Sequence, residues 1–315
     1  MWYHRDFFKP VFFTLLVFLH CYLAKAQGIN VNGAAVQPSE YQFHIMPTSL
    51  LSEHMEYPVA MLDGQLIFIS NRTLDRPIKR INVDQQGFDR LYLSKIGEDG
   101  GLLSPTHFDS FMLPSVQVLH YGPLYLFTSG TKMVLTLSVR MHRTEKAVPR
   151  LFIAEKQQDK WVLTDTLFKD TPGVFTQPFV DEKANRLYFV SDHAGGYGGA
   201  DIYVSIMGSE KYENVGPLIN TPGNEVFPRI SPTGNMFFSS NGHPGFGGLD
   251  LFKANFRGDN FENITNLGSG INSEQDDFAI VFDQYGRRGF FSSGRNNEGQ
   301  SGDIFHFFMV PINNN

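Results

Sequence analysis

A five-residue pattern occurs three times in the second half of the chain, as Leu187-Tyr188-Phe189-Val190-Ser191, Met236-Phe237-Phe238-Ser239-Ser240 and Gly289-Phe290-Phe291-Ser292-Ser293. Ten residues after the last serine of each copy, an aspartate opens another short aromatic run; these aspartates are Asp201, Asp250 and Asp303. Glycine-rich turns separate serine from aspartate, at 195–199 and 245–248. Short β-type runs alternate with turn residues and no helical period is visible, which predicts antiparallel strands.

The repeat returns after about 50 residues, and four short strands per such period are typical of one blade of a β-propeller. Two weaker copies lie upstream, where 66–70 pairs with 91–93 and 124–129 pairs with 151–153. The sequence therefore predicts an all-β, five-bladed propeller with four antiparallel strands in each blade. Residues 41–46 form a strand-like run without a partner of its own, and we expect it to complete the last blade. Six blades is the alternative, if a degenerate blade lies within the longer insertions.

The repeated aspartates have a structural interpretation, because an aspartate at a hairpin end accepts backbone N–H groups. The repeated aromatic residues are expected to pack between adjacent blades. Calcium is the functional alternative, with weak candidate ligands at Asp192, Asp276 and Asp277. No dense run of alternating aspartates supports it, so no cofactor is predicted. The serines form no nucleophile elbow and the histidines lack metal-ligand spacing, so no catalytic residue is predicted.

Residues 1–26 read as a secretory signal peptide, with a basic start, an apolar run over 11–19 and a small-residue cleavage site at Ala24-Lys25-Ala26. An uncleaved anchor and a lipoprotein site at Cys21 are the alternatives, although His20 precedes that cysteine where a small residue is expected. The mature chain then consists of an extension over 27–40 and one propeller domain over 41–312. No membrane-spanning segment is expected after cleavage.

The composition agrees with a packed β-rich domain. The 315 residues include 30 Phe and 30 Gly, and only 18% are charged, which excludes disordered and coiled-coil chains. A single cysteine excludes a disulfide framework. The net charge of −6 argues against a general nucleic-acid binder.

Departures from a repeat are where function is expected, because loops vary on a rigid scaffold. The first two copies carry insertions within 71–90 and 130–150, and arginines (Arg90 and Arg150) stand where the other copies have the repeated aspartate. Both insertions are basic. We expect them to form a basic ridge on one face, consisting of Arg72, Arg76, Lys79, Arg80, Arg140, Arg143 and Lys146. Arginine binds carboxylate or phosphate through two parallel hydrogen bonds.

The third copy also carries recognisable motifs: Tyr-Phe-x-Ser-Asp over 188–192, Gly-Gly-x-Gly-Gly-x-Asp-Ile-Tyr over 195–203, and Glu-x-Phe-Pro-x-Ile-Ser-Pro-x-Gly over 225–234. These motifs resemble the WD-repeat-like, TolB-type propeller repeats of bacterial envelope proteins, specifically over 174–308 and weakly over 41–170. The resemblance implies a role in envelope assembly or secretion.

We therefore expect a non-catalytic binding or scaffolding protein of the periplasm or outer envelope. It would be monomeric and would bind an envelope protein or an anionic polymer, and no nucleic acid. The alternative is a secreted glycoside hydrolase-like enzyme acting at the channel mouth. An enzyme would gather carboxylates around the channel, whereas a binder would have apolar channel walls.

Overall fold

The chain forms a ring of β-sheets. A computed structural model describes residues 41–50, 54–72, 89–108, 111–112, 117–140, 147–158, 160–257, 260–296 and 302–312. All secondary-structure elements in these ranges are β-strands. The described residues therefore contain no helix long and apolar enough to cross a membrane. The predicted signal peptide (1–26) and extension (27–40) lie outside the described residues.

Five sheets make up the five blades, and each blade runs from an inner first strand to an outer fourth strand. Blade 1 contains β2 (Glu56–Leu62), β3 (Gln65–Ser70), β4 (Arg90–Ile96) and β5 (Leu102–His107). Blade 2 contains β7 (Gln117–Phe127), β8 (Lys132–Arg140), β9 (Val148–Gln157) and β10 (Lys160–Leu167), with the two-residue strand β6 (Phe111–Met112) added in parallel to β10. Blade 3 contains β11 (Phe175–Asp181), β12 (Arg186–Ser191), β13 (Asp201–Ile206) and β14 (Tyr212–Asn214).

The remaining two blades follow the same plan. Blade 4 contains β15 (Glu225–Ile230), β16 (Met236–Ser240), β17 (Asp250–Arg257) and β18 (Asn260–Asn266). Blade 5 contains β19 (Asp277–Phe282), β20 (Arg288–Ser293), β21 (Asp303–Pro311) and, as its outer strand, β1 (Tyr41–Pro47).

The ring closes in two ways. Each inner strand contacts the inner strands of both neighbouring blades, so β2, β7, β11, β15 and β19 surround one axis. The first strand of the chain also pairs antiparallel with the last, from Tyr41 opposite Pro311 to Pro47 opposite Phe305. This pairing covers an edge that would otherwise be left open. The predicted five-bladed propeller with amino-terminal closure is confirmed.

The second blade corrects one detail of the sequence prediction. Residues 124–129 were matched to the second strand of a blade, but Leu124 to Phe127 end the inner strand β7 and Thr128 begins the hairpin turn. Nine residues of the predicted insertion segment 130–150 are therefore β8, the true second strand. The repeated aspartate corresponds in this blade to Pro149, which pairs with Ser138, and not to Arg150. The prediction failed because β8 has no aromatic pair followed by serine.

The repeated aromatic residues fill the space between blades, as expected. All six are at most 1% exposed: Tyr188, Phe189, Phe237, Phe238, Phe290 and Phe291. Such burial removes a large apolar area from water and is the main source of stability.

The inner strands are not regular. Each has a β-bulge near its middle, and in blades 3, 4 and 5 the bulged residue is left-handed: Gln177 (φ 53°), Phe227 (φ 54°) and Ala279 (φ 57°). A bulge changes the direction of the side chains that follow it. These bulges therefore decide which side chains face the axis.

Candidate functional site

A cavity lies on the axis, at the face where the first and second strands of each blade meet in hairpins. Its volume of about 480 Å³ falls in the range of small-molecule sites. Every blade contributes to its wall, through Ala60, Tyr125, Phe179, Arg229 and Phe282 in chain order. The wall is thus largely apolar and aromatic, with an arginine among its residues.

Arg229 reaches from blade 4 across the ring to three other blades. Its Nη2 donates a hydrogen bond to the carbonyl oxygen of Val59 in blade 1. Its guanidinium carbon lies 5.5 Å from the ring centre of Tyr125 in blade 2 and 5.8 Å from that of Phe179 in blade 3. The residue is only 9% exposed, and burial lowers its pKa to about 10. Arg229 therefore stays charged at neutral pH.

The acidic residues around the cavity mouth are held by backbone groups. Asp181 accepts hydrogen bonds from the amides of Lys183 and Ala184, within its own hairpin. Asp283 accepts in the same way from Tyr285 and other amides of its turn. Glu182 accepts from the amide of Thr128 at 2.8 Å, which links blade 3 to blade 2. At this mouth the three carboxylates stabilise turns and blade contacts.

The sequence analysis missed Arg229, although a signal was present. The strand register places Arg229 opposite Phe237, just as Phe179 lies opposite Tyr188 and Val281 opposite Phe290. The equivalent residues in the other four blades are all apolar: Ala60, Leu124, Phe179 and Val281. A single arginine at an otherwise apolar position is a departure from the repeat, and such departures were expected to mark function.

A second polar feature lies at the opposite end of the inner strands. Glu56, Glu225 and Asp277 are fully buried and occupy the first position of the inner strand in blades 1, 4 and 5. Each pairs in register with a second-strand serine, namely Ser70, Ser240 and Ser293. The three carboxylates thus form a repeated structural element. The sequence also shows this repeat in blades 4 and 5, where Ile219-Asn220-Thr221 leads to Glu225 and Ile271-Asn272-Ser273 leads to Asp277, but the sequence analysis did not connect Glu56 with it.

Two of these carboxylates have an arginine partner and one does not. Arg72 donates to Glu56, and Arg295 donates to Asp277 at 2.9 Å; both arginines lie two residues after the paired serine. Blade 4 has Gly242 at the equivalent position. Glu225 accepts hydrogen bonds from Thr221 and Ser240. Similar hydroxyls donate in the other two blades, from Ser70 to Glu56 and from Ser273 to Asp277, but there they act in addition to the arginine. Burial, opposed only by the hydrogen bonds from Thr221 and Ser240, raises the pKa of Glu225 to about 7.

The repeated aspartates are buried at the start of the third strands and are each 1% exposed. Asp201 accepts hydrogen bonds from the amides of Tyr197 (2.5 Å) and Gly198 (3.1 Å). Asp250 accepts from the amide of Phe246 in the equivalent turn (2.5 Å), and burial raises the pKa of Asp250 to about 7. Asp303 holds the same strand position, opposite Ser293. In Asp201 and Asp250, the carboxylate fixes the glycine-rich loop.

The weak calcium candidates are engaged separately. Asp192 accepts from the amide of Val174, Asp276 accepts from the amide of Leu249, and Asp277 binds Ser273 and Arg295. Across the described ranges, no group of three or more His, Cys, Asp or Glu side chains is arranged to hold a metal ion.

Most residues of the predicted basic ridge lie outside the described residues. Arg76, Lys79, Arg80, Arg143 and Lys146 lie outside the described residues, and Arg140 ends β8 with no side-chain description. The side chain of Arg72 is 13% exposed and points to Glu56, so this member contributes to packing within blade 1. Arg150, in the second insertion, donates to the carbonyl oxygen of Gly173. The ridge therefore stays a prediction.

The strand topology defines the chain as a five-bladed β-propeller, and several solved structures are similar to it. It is similar to a candidate TolB from Agrobacterium tumefaciens (11% identity, 82% of this chain and 79% of that one, TM-score 0.47). It is also similar to a candidate glycosidase from Bacteroides thetaiotaomicron (9% identity, 89% and 95%, TM-score 0.46) and to a hypothetical protein from Leishmania major (13% identity, 93% and 94%, TM-score 0.49).

No protein-family model and no curated protein sequence matches the chain. The structural similarities have low identities and TM-scores below 0.5, so they carry no argument about activity. The strand topology is the evidence for the propeller architecture that the TolB-type resemblance implies.

Proposed function

We propose that this propeller is a non-catalytic binding protein whose ligand site is the axial cavity. The observation that carries the proposal is the chemistry of the cavity wall. Apolar and aromatic side chains surround a buried arginine, and the mouth carboxylates already accept hydrogen bonds from backbone amides. Such a wall suits a ligand that is held and released unchanged.

The enzyme alternative needs a different arrangement. Glycoside hydrolysis uses two carboxyl groups flanking the scissile bond, of which one is a protonated acid and the other a nucleophile or base. Asp181 and Asp283 are each engaged by at least two amides of their own turns. A carboxylate whose oxygen is held by two backbone amides is poorly suited to act as the protonated acid, the nucleophile or the base.

We further propose that the protein is exported to the periplasm or outer envelope and acts there as a scaffold for a protein partner or an anionic polymer. The signal-peptide pattern of residues 1–26 supports export. The rigid ring supports a scaffolding role, because its hairpins present loops at fixed positions.

One experiment separates binding from catalysis. The chain from residue 27 onward is incubated with a panel of chromogenic glycosides and, in parallel, a tagged full-length chain is purified from its native envelope and analysed by mass spectrometry. We expect no glycoside turnover and reproducible recovery of one envelope component. Turnover that survives repurification and is lost in the Glu182→Gln variant would overturn the binding proposal.

The basic ridge has its own test within that purification. Replacing Arg76, Arg80, Arg140 and Arg143 with Ser should abolish partner capture and leave the melting temperature unchanged. Undiminished capture by this variant would reject the ridge as the docking surface.

A further inference from the structure

The buried charge of Arg229 has no counter-charge. No carboxylate lies within ion-pair distance of it in the described part of the chain, and its one hydrogen bond goes to the Val59 carbonyl. A guanidinium has five N–H donors, so four of them have no acceptor among the described residues. No nitrogen of Arg229 is among the fully buried side-chain atoms without a partner, so its unused donors remain open to the cavity.

The surroundings of Arg229 leave room for an anion. The residue lines the 480 Å³ cavity, so its unused donors can be reached from the axis. The hydroxyl of Tyr125, whose ring lies against the guanidinium, also has no hydrogen-bond partner among the described residues. Arg229 and Tyr125 therefore place two kinds of donor beside the apolar and aromatic part of the cavity wall.

The size and charge of the cavity restrict the ligand. Its aromatic and aliphatic wall, with Phe179 and Phe282, suits an apolar body. Arg229 is the buried cation of the wall, and the mouth has three carboxylates, Asp181, Glu182 and Asp283, against one exposed cation, Lys183. Like charges repel, so a multiply charged anion such as a phosphate monoester is disfavoured. A carboxylate carries one charge and fits a guanidinium through two parallel hydrogen bonds.

We propose that the axial cavity binds a small monocarboxylate with an apolar body, whose carboxylate is held by Arg229 and the Tyr125 hydroxyl. This inference rests on the proposed function, because it names the ligand class of the same cavity. The apolar body packs against the aromatic wall, and the binding energy is divided between the charge and the apolar contact.

A matched pair of probes tests the charge. Calorimetric titration of the wild-type protein with 3-phenylpropionate is compared with titration of its amide, 3-phenylpropionamide, which has the same shape and no charge. We expect the carboxylate to bind at least about tenfold more tightly than the amide, which corresponds to one charge-assisted hydrogen bond. Equal affinities, or no binding of either probe, would overturn the proposal.

Variants of the protein test the residue. Arg229→Gln should reduce the preference for the carboxylate to near unity, and Arg229→Lys should keep part of it. The control is Arg287→Gln, which removes an exposed cation from the same face without touching the cavity wall, and we expect it to bind like wild type. A full carboxylate preference in Arg229→Gln would overturn the assignment. If Arg229→Gln does not fold, the probe pair on wild-type protein still decides.

The two proposals fail separately. If the two probes bind equally or not at all, and no glycoside is turned over, the monocarboxylate site is rejected. The proposal of a non-catalytic binding protein then still stands. Glycoside turnover that survives repurification and is lost in Glu182→Gln removes the proposed function, whatever the probes do.

Discussion

Replacing Glu225 with Gln should change how the stability of this propeller depends on pH. Glu225 is fully buried at the start of β15, and burial raises its pKa from 4.5 to about 7. The folded protein therefore keeps this proton up to about pH 7, whereas the unfolded chain loses it near pH 4.5. The stabilisation from proton retention is complete below pH 4.5 and is lost as the pH rises to 7.

The magnitude follows from the shift. One pKa unit corresponds to about 1.4 kcal/mol, so the shift of Glu225 amounts to about 3 kcal/mol between pH 4.5 and 7 as an order of magnitude. Gln is neutral at all these values and has the same shape. Its oxygen can accept from the Thr221 amide, and its NH₂ can donate to the hydroxyls of Thr221 and Ser240 after these rotate.

The assay is urea denaturation of both proteins at pH 5, 6, 7 and 8. We expect the Glu225→Gln variant to gain stability relative to wild type as the pH rises, by about 3 kcal/mol over this range. The comparison cancels the contribution of Asp250, whose pKa is also raised to about 7 and which both proteins contain. A difference that is the same at pH 5 and pH 8 would refute the reasoning.

Asp277→Asn is the matched control, because Asp277 has the same position in blade 5 and an arginine partner. Removing its charge leaves Arg295 unpaired beside a buried amide. We expect this variant to lose stability at both pH 5 and pH 8, by at least about 1 kcal/mol. A gain at pH 8 similar to that of Glu225→Gln would show that the arginine partner does not matter.

Two further predictions concern the ring itself. Phe189→Ala should lower the free energy of unfolding by about 3–5 kcal/mol, because Phe189 is fully buried among the rings of Phe168, Phe175 and other aromatic residues. Tyr285→Ala at a 70% exposed site is its control and should change stability by less than about 0.5 kcal/mol in the same urea assay. A chain that begins at Thr48 lacks β1 and should lose its cooperative thermal transition or melt well below the full chain, because β21 is then an open edge. An unchanged melting temperature by calorimetry would show that the closure of blade 5 by β1 is dispensable.

Most of the fold could be predicted because each blade repeats the same local chemistry. The aromatic pair followed by serine marks the second strand, and the aspartate ten residues later marks the third. Where this signature is missing, as in β8, the prediction shifted by one strand. In β8, Leu135 and Thr136 stand in place of the usual aromatic residues, and an apolar run without a marker does not reveal its position in the blade.

The candidate site could be predicted only in part. The motif containing Glu225, Phe227 and Pro228 was recognised, but its next residue, Arg229, was not considered. Whether that residue faces the axis depends on the bulge between Val226 and Arg229, which shifts the register of the strand. Sequence alternation alone does not reveal such a bulge, because its left-handed residue is Phe227 and not a glycine.

Blade 4 differs from its neighbours in two related ways, and both lie on β15. Its first residue, Glu225, is a buried acid with no cation, and its fifth, Arg229, is a buried cation with no acid. Three residues lie between them, including the left-handed Phe227, and the two side chains form no ion pair with each other in the described structure. Blade 4 has no room for an arginine at position 242, because a Cβ on Gly242 would clash with Thr221 Oγ1, the hydroxyl that binds Glu225. In blade 5 the counterpart of Thr221, Ser273, donates to Asp277 in addition to Arg295, so Glu225 keeps the hydroxyl partner and lacks the arginine. No equivalent substitute exists for Arg229 among the described residues, so a bound carboxylate would be the partner of this cation.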